Sequence, residues 1–506
     1  MTNTGTTKRL ELYITLVIVL LSFLIRVIRL DIPHDWSFDE VYHALSAEAY
    51  ALNDPRGYEW WNPSPKDLAW EWLHPPFGKL MMGLSIKLLA KPYIPESKSA
   101  PLAGATTFAW RFPGTIFAAL TVWLLIIFGS KLFNNFWIGA VAGGLYGLDG
   151  LSFVQSRTGM NDIYIAFFVV LVFYRIFRLV HDYSSSEPKA SREVMSSSTP
   201  IEDLDSRFSA RGGSTFGRRG NDKFKNSQSV SRWTRTLGNL FWLGLASGLA
   251  ASTKWTGFYA VGIAFVWGIL FFAKKRDWKG LFYAIFFLGL IPPLIYVLSY
   301  GQWWLQGHTW KQFYELHQQI WWYQTGLKAT HGYQSQALTW PFLYRPVWFY
   351  VKYQDVIENG QKLLYIGNIY TMGHPFIWWA GLVAIGYGAW QMLLGIWQRI
   401  EGGVKKAKDL LPLGILLVGY FSMFLPWTFS PRIMFLYHYL PSVPFLCLLL
   451  AYGLNQVRRI SRIGRIGVNI YLILVVIGFV YFYPQWAALP LPQKWVDQYY
   501  WLPSWK

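Results

Sequence analysis

Long apolar stretches recur along almost the whole chain, and they constrain its fold more than any other feature. A transmembrane helix needs about 20 apolar residues, and about eleven segments of this chain meet that requirement. They lie near residues 12–29, 108–130, 136–155, 163–180, 237–253, 256–273, 281–299, 376–397, 410–427, 433–454 and 467–483. The sequence therefore predicts an all-α polytopic membrane protein with about eleven transmembrane helices.

The composition supports this class. Only 14% of the residues are charged, whereas soluble domains carry about 25%. The 29 Trp, 31 Tyr and 36 Phe fit a protein with many aromatic belts at the membrane interface. The single cysteine, Cys447, lies in an apolar run and can form neither an intrachain disulfide nor a cysteine metal cluster.

The net charge of +19 reflects how the chain is oriented in the membrane. If the N-terminus is cytoplasmic, every basic cluster falls inside, as the positive-inside rule requires. These clusters are Lys8-Arg9, Lys131, the segment 183–235, Lys274-Lys275-Arg276, Lys405-Lys406-Lys408 and Arg458-Arg459-Arg462-Arg465. No nucleic-acid recognition motif accompanies the charge, so the sequence does not indicate a nucleic-acid partner.

The non-membrane segments divide the chain. The predicted units are an N-terminal membrane half over 1–182, a Ser-rich disordered cytoplasmic loop over 183–235, a C-terminal membrane half over 236–483 and an outer interfacial tail over 484–506. Two long outer loops, 30–107 and 300–375, are rich in Trp, Tyr, His and Pro. We expect them to form amphipathic surface helices that together roof a cavity.

Chemistry-bearing residues cluster in the first outer loop. Asp39-Glu40 follows the first span directly, and two adjacent carboxylates suit acid/base chemistry or metal binding at the bilayer surface. Further along the same loop, His74-Pro75-Pro76-Phe77-Gly78-Lys79 precedes an apolar helix that is too short to cross the membrane. The loop therefore carries the strongest sequence signal for a site.

Four cations stand at the predicted outer boundary, where the positive-inside rule disfavours them: Arg111, Arg157, Lys254 and Arg432. Any one of them could simply extend toward lipid headgroups. Together they indicate a cationic pocket for an anionic group, most naturally a lipid phosphate.

Absent motifs narrow the chemistry further. The sequence has no glycine-rich nucleotide cradle, no His-Glu-x-x-His and no nucleophile elbow, which argues against a nucleotide-sugar donor. The outer carboxylate pair and the cationic pocket suit transfer of a group from a lipid phosphate to an extracytoplasmic acceptor.

At this level of detail the chain resembles the protein O-mannosyltransferases, membrane enzymes of the GT-C fold that use polyprenyl- or dolichyl-phosphate-mannose. The resemblance covers most of the chain. It rests on Asp39-Glu40, His74 to Lys79, Arg111-Phe112-Pro113, Leu148-Asp149, Gln155-Ser156-Arg157, Asp162, Thr253 to Gly257, His331 to Ser335, Trp340-Pro341, Arg345-Pro346, Gly367-Asn368 and Arg432 through Pro441. Loop 300–375 is too short for the β-trefoil MIR domain of eukaryotic members, so the chain resembles the bacterial ones.

The resemblance implies a role for each candidate residue. Asp39 would be the catalytic base of an inverting transfer to a Ser or Thr hydroxyl, with Glu40 supporting it. The leaving phosphate would be held by Lys254 and Arg432, ranked ahead of Arg111 and Arg157, while His74 and His438 would bind substrate or be buried structural histidines. A divalent cation between the carboxylates is left open, and a site without metal is favoured.

The implied partners are a polyprenyl-phosphate-mannose donor, Ser/Thr-containing proteins and membrane lipids, with the oligomeric state undetermined. The implied location is the plasma membrane, with a cytoplasmic N-terminus and an extracytoplasmic active site. Two alternatives stay open. One is another GT-C transferase with a different lipid-phosphate sugar or a lipid acceptor, such as an aminoarabinose transferase. The other is a transporter or flippase of lipid-linked sugars, although the paired repeats expected of one are not evident.

Overall fold

Helices make up most of the structure. The computed structural model describes residues 4–185, 216–358, 360–402 and 410–506. Its helices are α1 (Thr4–Val27), α2 (Glu40–Leu52), α3 (Phe77–Leu89), α4 (Gly104–Leu132), α5 (Phe136–Gly147), α6 (Gly150–Ser156), α7 (Asp162–Ser185), α8 (Phe216–Ala251), α9 (Gly257–Lys274), α10 (Trp278–Ser299), α11 (Gly301–Leu305), α12 (Trp310–Gly326), α13 (Pro375–Gly402), α14 (Leu411–Phe424), α15 (Val443–Ile460), α16 (Arg462–Trp486) and α17 (Gln493–Val496). Short 3₁₀ turns join several of them.

The polytopic membrane architecture is confirmed. Within the described residues, nine helices are long and apolar enough to cross a membrane, and the bent pair α5–α6 raises this to ten. The remaining predicted span, 237–253, coincides with the C-terminal part of α8. The short helices α2, α3 and α12 lie in the two long loops where surface helices are predicted.

The predicted span 136–155 is broken in the middle. Helices α5 and α6 meet at an angle of 61°, and Asp149 caps α6 by accepting the Ser152 N–H at 3.0 Å. The second oxygen of Asp149 accepts the Trp378 indole N–H at 2.7 Å and the His374 N–H at 3.0 Å. The buried carboxylate therefore ties the bend to the start of α13.

Loop 300–375 contains a β-hairpin, so the all-α expectation is wrong for this segment. Strand β1 (Val347–Glu358) pairs antiparallel with β2 (Gln361–Thr371), and β2 pairs with the short β3 (Leu491–Pro492). The segment is rich in β-branched and aromatic residues around Asn359-Gly360, a dipeptide that favours tight hairpin turns. That local pattern outweighs the amphipathic helical interpretation.

The loop predicted to be disordered over 183–235 is helical in part. Residues 183–185 end α7, residues 216–235 begin α8, and residues 186–215 lie outside the described part of the chain. The sequence from Phe216 to Ala251 contains no proline, and each residue added to an existing helix gains a backbone hydrogen bond. The helix of the apolar segment therefore extends backwards over the polar residues 216–235.

All the long connections that carry candidate residues meet at one end of the bundle. Successive spans run in opposite directions, which places the connections after α1, α6, α8, α10 and α14 at the same end. Backbone hydrogen bonds join them: Phe38 to Phe349 at 2.9 Å, Phe77 to Ser252 at 3.1 Å and Ser335 to Met434 at 3.0 Å. The basic clusters at Lys131, Lys274 and Arg458 lie at the opposite end.

The C-terminal tail packs against the segment that leads into β1, and its strand β3 pairs with β2. The indole of Trp505 is fully buried and donates to the Leu343 carbonyl at 2.6 Å. Arg345 donates to the carbonyls of Ser504 at 2.7 Å and Lys506 at 2.6 Å. The tail therefore helps to fix the hairpin over this end of the bundle.

Candidate active site

A cavity of about 1010 Å³ opens at this end of the bundle. Its walls come from the segment after α1, the loop before α3, the starts of α7 and α9, the β-hairpin and the segment after α14. The polar side chains on its walls include Asp39, His43, Glu71, His74, Asp162, Lys254, Arg432 and His438. Residues far apart in the sequence therefore share one cavity.

Asp39 immediately precedes α2, and its side chain lines the cavity. Its backbone carbonyl accepts the N–H groups of Tyr42 and His43, each at 3.0 Å, which starts the helix and leaves the carboxylate for the cavity. Burial raises the pKa of Asp39 to about 7, although Lys254 and a hydrogen bond with Tyr437 act in the opposite direction. A pKa near neutrality suits a general base.

Glu40, the adjacent carboxylate, is fully buried and does not line the cavity. Neighbouring helical side chains diverge by about 100°, so Glu40 points toward α4. Its oxygens accept two bonds from the Arg111 guanidinium, each at 2.8 Å, and one from the Trp110 indole at 3.1 Å. The backbone N–H groups of Ser37 (2.8 Å) and Gly159 (2.9 Å) also donate to the Glu40 carboxylate. The structure therefore gives Glu40 a scaffolding position.

Arg111 and Arg157 also lie outside the cavity wall, so the structure does not support a phosphate-binding role for them. Arg111 donates to the carbonyls of Pro33 and Asp35, each at 2.9 Å. Arg157 donates to those of Ile28 at 2.7 Å and Arg29 at 2.9 Å. The last carbonyls of a helix lack intrahelical partners, and these guanidinium groups satisfy the carbonyls at and after the end of α1.

Lys254 and Arg432, by contrast, line the cavity. The Lys254 ammonium contacts both carboxylate oxygens of Asp162, at 2.8 and 3.1 Å. Arg432 is partly buried, and its guanidinium lies 5.6 Å from the centre of the Trp427 ring. It forms no hydrogen bond with the part of the chain that the structure describes, so its donors can bind an anion.

His74 and His438 also reach the cavity. The Nδ1 atom of His74 contacts its neighbour's carbonyl at 3.1 Å, and that of His438 contacts the Phe435 carbonyl at 3.0 Å. Burial lowers the pKa of His74 well below its usual value, so the ring is neutral near pH 7. Each imidazole is thus held by one nitrogen, with Nε2 left unbonded to any described residue.

Sequence reasoning missed a cluster beside Asp39. His43 lies one helical turn after Asp39 and 3.7 Å from the Glu71 carboxylate, which pairs with Lys79 at 2.6 Å. The i, i+4 spacing of Asp39 and His43 on a short helix was a usable signal. The sequence contained no such signal for Glu71, because only the fold brings this residue close to α2.

No group of three or more described His, Cys, Asp or Glu side chains is arranged to hold a metal ion.

Two family models match successive parts of the chain. The first, described as dolichyl-phosphate-mannose-protein mannosyltransferase, matches residues 71–193. The second, described as the C-terminal four TMM region of protein-O-mannosyltransferase, matches residues 309–505. Together they include His74, Arg111, Arg432 and the β-hairpin.

Full-length relatives and a solved structure agree with these matches. The polyprenol-phosphate-mannose–protein mannosyltransferase of Mycolicibacterium smegmatis is 26% identical, over 97% of this chain and 92% of its own length. Its Mycobacterium tuberculosis counterpart is 26% identical, over 86% and 81%. The structure of the Saccharomyces cerevisiae protein O-mannosyltransferase Pmt1-Pmt2 complex bound to the sugar donor matches with a TM-score of 0.73 at 14% identity, covering 100% of this chain and 93% of that chain.

The fold and the family models define a membrane-embedded glycosyltransferase of the GT-C type. More closely, the chain belongs to the protein O-mannosyltransferase family.

Replacing Glu40 tests its structural position. We expect Glu40→Gln to lower the free energy of unfolding by about 3–5 kcal/mol, because it leaves the Arg111 charge buried without its partner. The measurement is the unfolding temperature of the purified protein in lipid, followed by tryptophan fluorescence. Asp39→Asn is the matched control and should unfold at the wild-type temperature or above. Wild-type stability in Glu40→Gln would contradict this account.

Proposed function

We propose that this chain transfers mannose from a polyprenyl-phosphate-mannose donor to Ser or Thr hydroxyls of proteins. Its membership of the protein O-mannosyltransferase family and the names of its bacterial relatives support the donor and the acceptor. The observation that carries the chemistry is the position of Asp39. Its carboxylate lines the same cavity as Lys254 and Arg432, and its pKa is about 7.

The proposed reaction is a single displacement with inversion at the anomeric carbon. The acceptor oxygen attacks this carbon as the bond to the phosphate oxygen breaks, and the hydroxyl proton passes to Asp39. The electron pair of the broken bond stays on the phosphate, where negative charge grows in the transition state. A positioned base contributes roughly 10²- to 10⁴-fold to the rate of such a step.

Arg432 and Lys254 are placed to stabilise the leaving phosphate. Cations held in a cavity of the protein stabilise growing negative charge more strongly than they would in bulk water. Arg432 provides donors that no described residue occupies, and Lys254 is oriented by Asp162 at 2.8 Å. In this scheme Glu40, Arg111 and Arg157 act through the backbone that they hold. His74 and His438, which are held by one nitrogen each, are candidates to contact the sugar.

The proposed orientation places this cavity on the extracytoplasmic side of the plasma membrane. All cavity-lining segments lie at the end of the bundle opposite the basic clusters at Lys131, Lys274 and Arg458. Cytoplasmic loops carry the excess of Lys and Arg, so the basic end faces the cytoplasm. A lipid-linked donor would then reach the cavity from the outer leaflet.

Cysteine labelling in whole cells tests the orientation. In a Cys447→Ala background, we expect Lys311→Cys to react with a membrane-impermeant maleimide added outside. Arg459→Cys should react only after the membrane is permeabilised. Both native side chains lie at exposed positions, at opposite ends of the bundle. Labelling of Arg459→Cys in intact cells would reverse the proposed orientation.

The central test of the function is transfer by the purified protein in lipid. With polyprenyl-phosphate-[tritiated mannose] and a pool of Ser/Thr-rich peptides, we expect label on peptide hydroxyls. Asp39→Asn should lose roughly 10²- to 10⁴-fold in rate. Asp35→Asn is the matched control, because Asp35 also borders the cavity but is exposed; it should stay near wild type.

Each contrary outcome is informative. Equal transfer by wild type and Asp39→Asn would remove the base from the mechanism. An intact protein that labels no peptide would favour the alternatives of a different lipid-phosphate sugar or a lipid acceptor. Movement of unreacted donor between leaflets, without any transfer, would favour a flippase.

A further inference from the structure

Strand β1 is an edge strand with a free side next to the active site. The sheet order is β1-β2-β3, so among the described residues β1 pairs with β2 alone. On the other side, the backbone of Phe38 bonds to the Phe349 carbonyl at 2.9 Å. From Val351 to Ile357, no described backbone group outside the sheet bonds to β1. This free stretch is about 20 Å long at 3.3 Å per residue.

The register determines which backbone groups face the free side. In an antiparallel pair, alternate residues bond to the partner strand and the residues between them point away. The Phe349 carbonyl accepts the Phe38 N–H on the outer side, at the irregularity between Trp348 and Tyr350. On β2, the carbonyl of Asn368, which opposes Val351, accepts the Ala488 N–H at 2.9 Å on the side away from β1. With the observed register, which closes on the pair Glu358 and Gln361, the outward residues of β1 are the odd-numbered ones. These are Val351, Tyr353, Asp355 and Ile357.

This edge leads directly to the catalytic carboxylate. Phe38 bonds to the outer side of β1 at Phe349, at the end of the strand nearest the cavity, and it is the residue before Asp39. Its ring stacks on Phe349 with centroids 4.4 Å apart. Phe349, Tyr350 and Val351 belong both to β1 and to the cavity wall. An extended chain that pairs with β1 from Ile357 toward Val351 would therefore reach the cavity beside Asp39.

The side chains along the free stretch are unusual for an unprotected edge. Val351, Tyr353 and Ile357 are 36%, 57% and 78% exposed, and all three types favour strand pairing. Proteins normally protect such edges by covering them or by placing charges and prolines there. Here Asp355 is the only charged residue among the four outward positions.

We propose that the acceptor polypeptide binds as an added antiparallel or parallel strand on the free edge of β1, with its Ser or Thr side chain delivered to Asp39. This inference rests on the proposed function. Strand addition obtains its affinity from main-chain hydrogen bonds, which every peptide sequence offers. This mode of binding suits an acceptor that presents a hydroxyl on an extended segment.

The test uses backbone N-methylation of an acceptor peptide with a single Ser. One peptide is made for each methylated position, and KM and kcat for transfer are measured with the full-length protein in lipid. Only every second peptide N–H would face β1. We expect KM to rise roughly two- to tenfold at alternate positions on one side of the Ser, the effect of one lost hydrogen bond. The peptides methylated between them serve as matched controls, and kcat should stay constant.

The outcomes distinguish a failure of strand addition from a failure of the proposed mannose transfer. A KM profile without alternation, in peptides that are labelled normally, would overturn strand addition and leave mannose transfer intact. No label on any peptide would defeat both.

Variants of β1 itself give a second, independent test of strand addition. Tyr353→Pro removes one outward N–H and should raise the peptide KM more than Tyr353→Ala, which keeps the N–H and removes the ring. Pro is tolerated on an edge strand where the N–H faces outward, and the unfolding temperature checks that both variants fold. Chemical cross-linking of the same variants measures whether copies of the chain associate through this edge. If Tyr353→Pro abolishes cross-linking between copies but leaves the peptide KM unchanged, the edge pairs with a second copy and the proposal is wrong.

Discussion

The buried ion pair of Glu40 and Arg111 fixes the segment on which the rest of the site depends. Glu40 accepts five hydrogen bonds, from Ser37, Trp110, Gly159 and two nitrogens of Arg111. Arg111 in turn holds the carbonyls of the segment after α1, from Leu30 to Asp35. Removing one partner of such a pair costs about 3–5 kcal/mol because the other charge is left buried. The start of α2 therefore has one position relative to α4.

That rigidity would hold Asp39, the proposed base, in one position. Because Glu40 is fully bonded, the backbone of the adjacent Asp39 is held in place, while the Asp39 side chain points in a different direction, into the cavity. The cations divide in the same manner. Arg111 and Arg157 are occupied by backbone carbonyls at the end of α1, whereas Lys254 and Arg432 line the cavity. One set of charges stabilises the scaffold, and the other set faces the cavity in which we propose that the phosphate binds.

The sequence was sufficient to predict the membrane architecture, because span length and hydropathy are local properties. The predicted spans correspond to helices, and Asp39 of the first outer loop lines the cavity. The position of the residues in the sequence could not distinguish Arg111 from Arg432, since both stand at the same membrane boundary, and only the family resemblance ranked Arg432 higher. The difference lies in which carbonyls are nearby, and those come from the distant end of α1.

Other features were missed for different reasons. The β-hairpin had a local signal in Asn359-Gly360 between β-branched and aromatic residues, and the amphipathic interpretation of the loop obscured it. Glu71 had no signal, because it contacts His43 and Lys79 only once α2 and α3 have packed together. The break at Asp149 requires partners on α13, more than 200 residues away in the chain, as the Trp378 contact shows.

The most direct test of the central claim, that one carboxylate of the pair serves chemistry and the other the fold, is chemical rescue by formate. Asp39→Ala leaves space in a cavity of about 1010 Å³, where formate can replace the missing base. Glu40→Ala leaves a site that is closed to the cavity. We expect formate to raise the mannose-transfer rate of Asp39→Ala and to leave that of Glu40→Ala unchanged. Rescue of Glu40→Ala, or none of Asp39→Ala in a folded protein, would contradict the account.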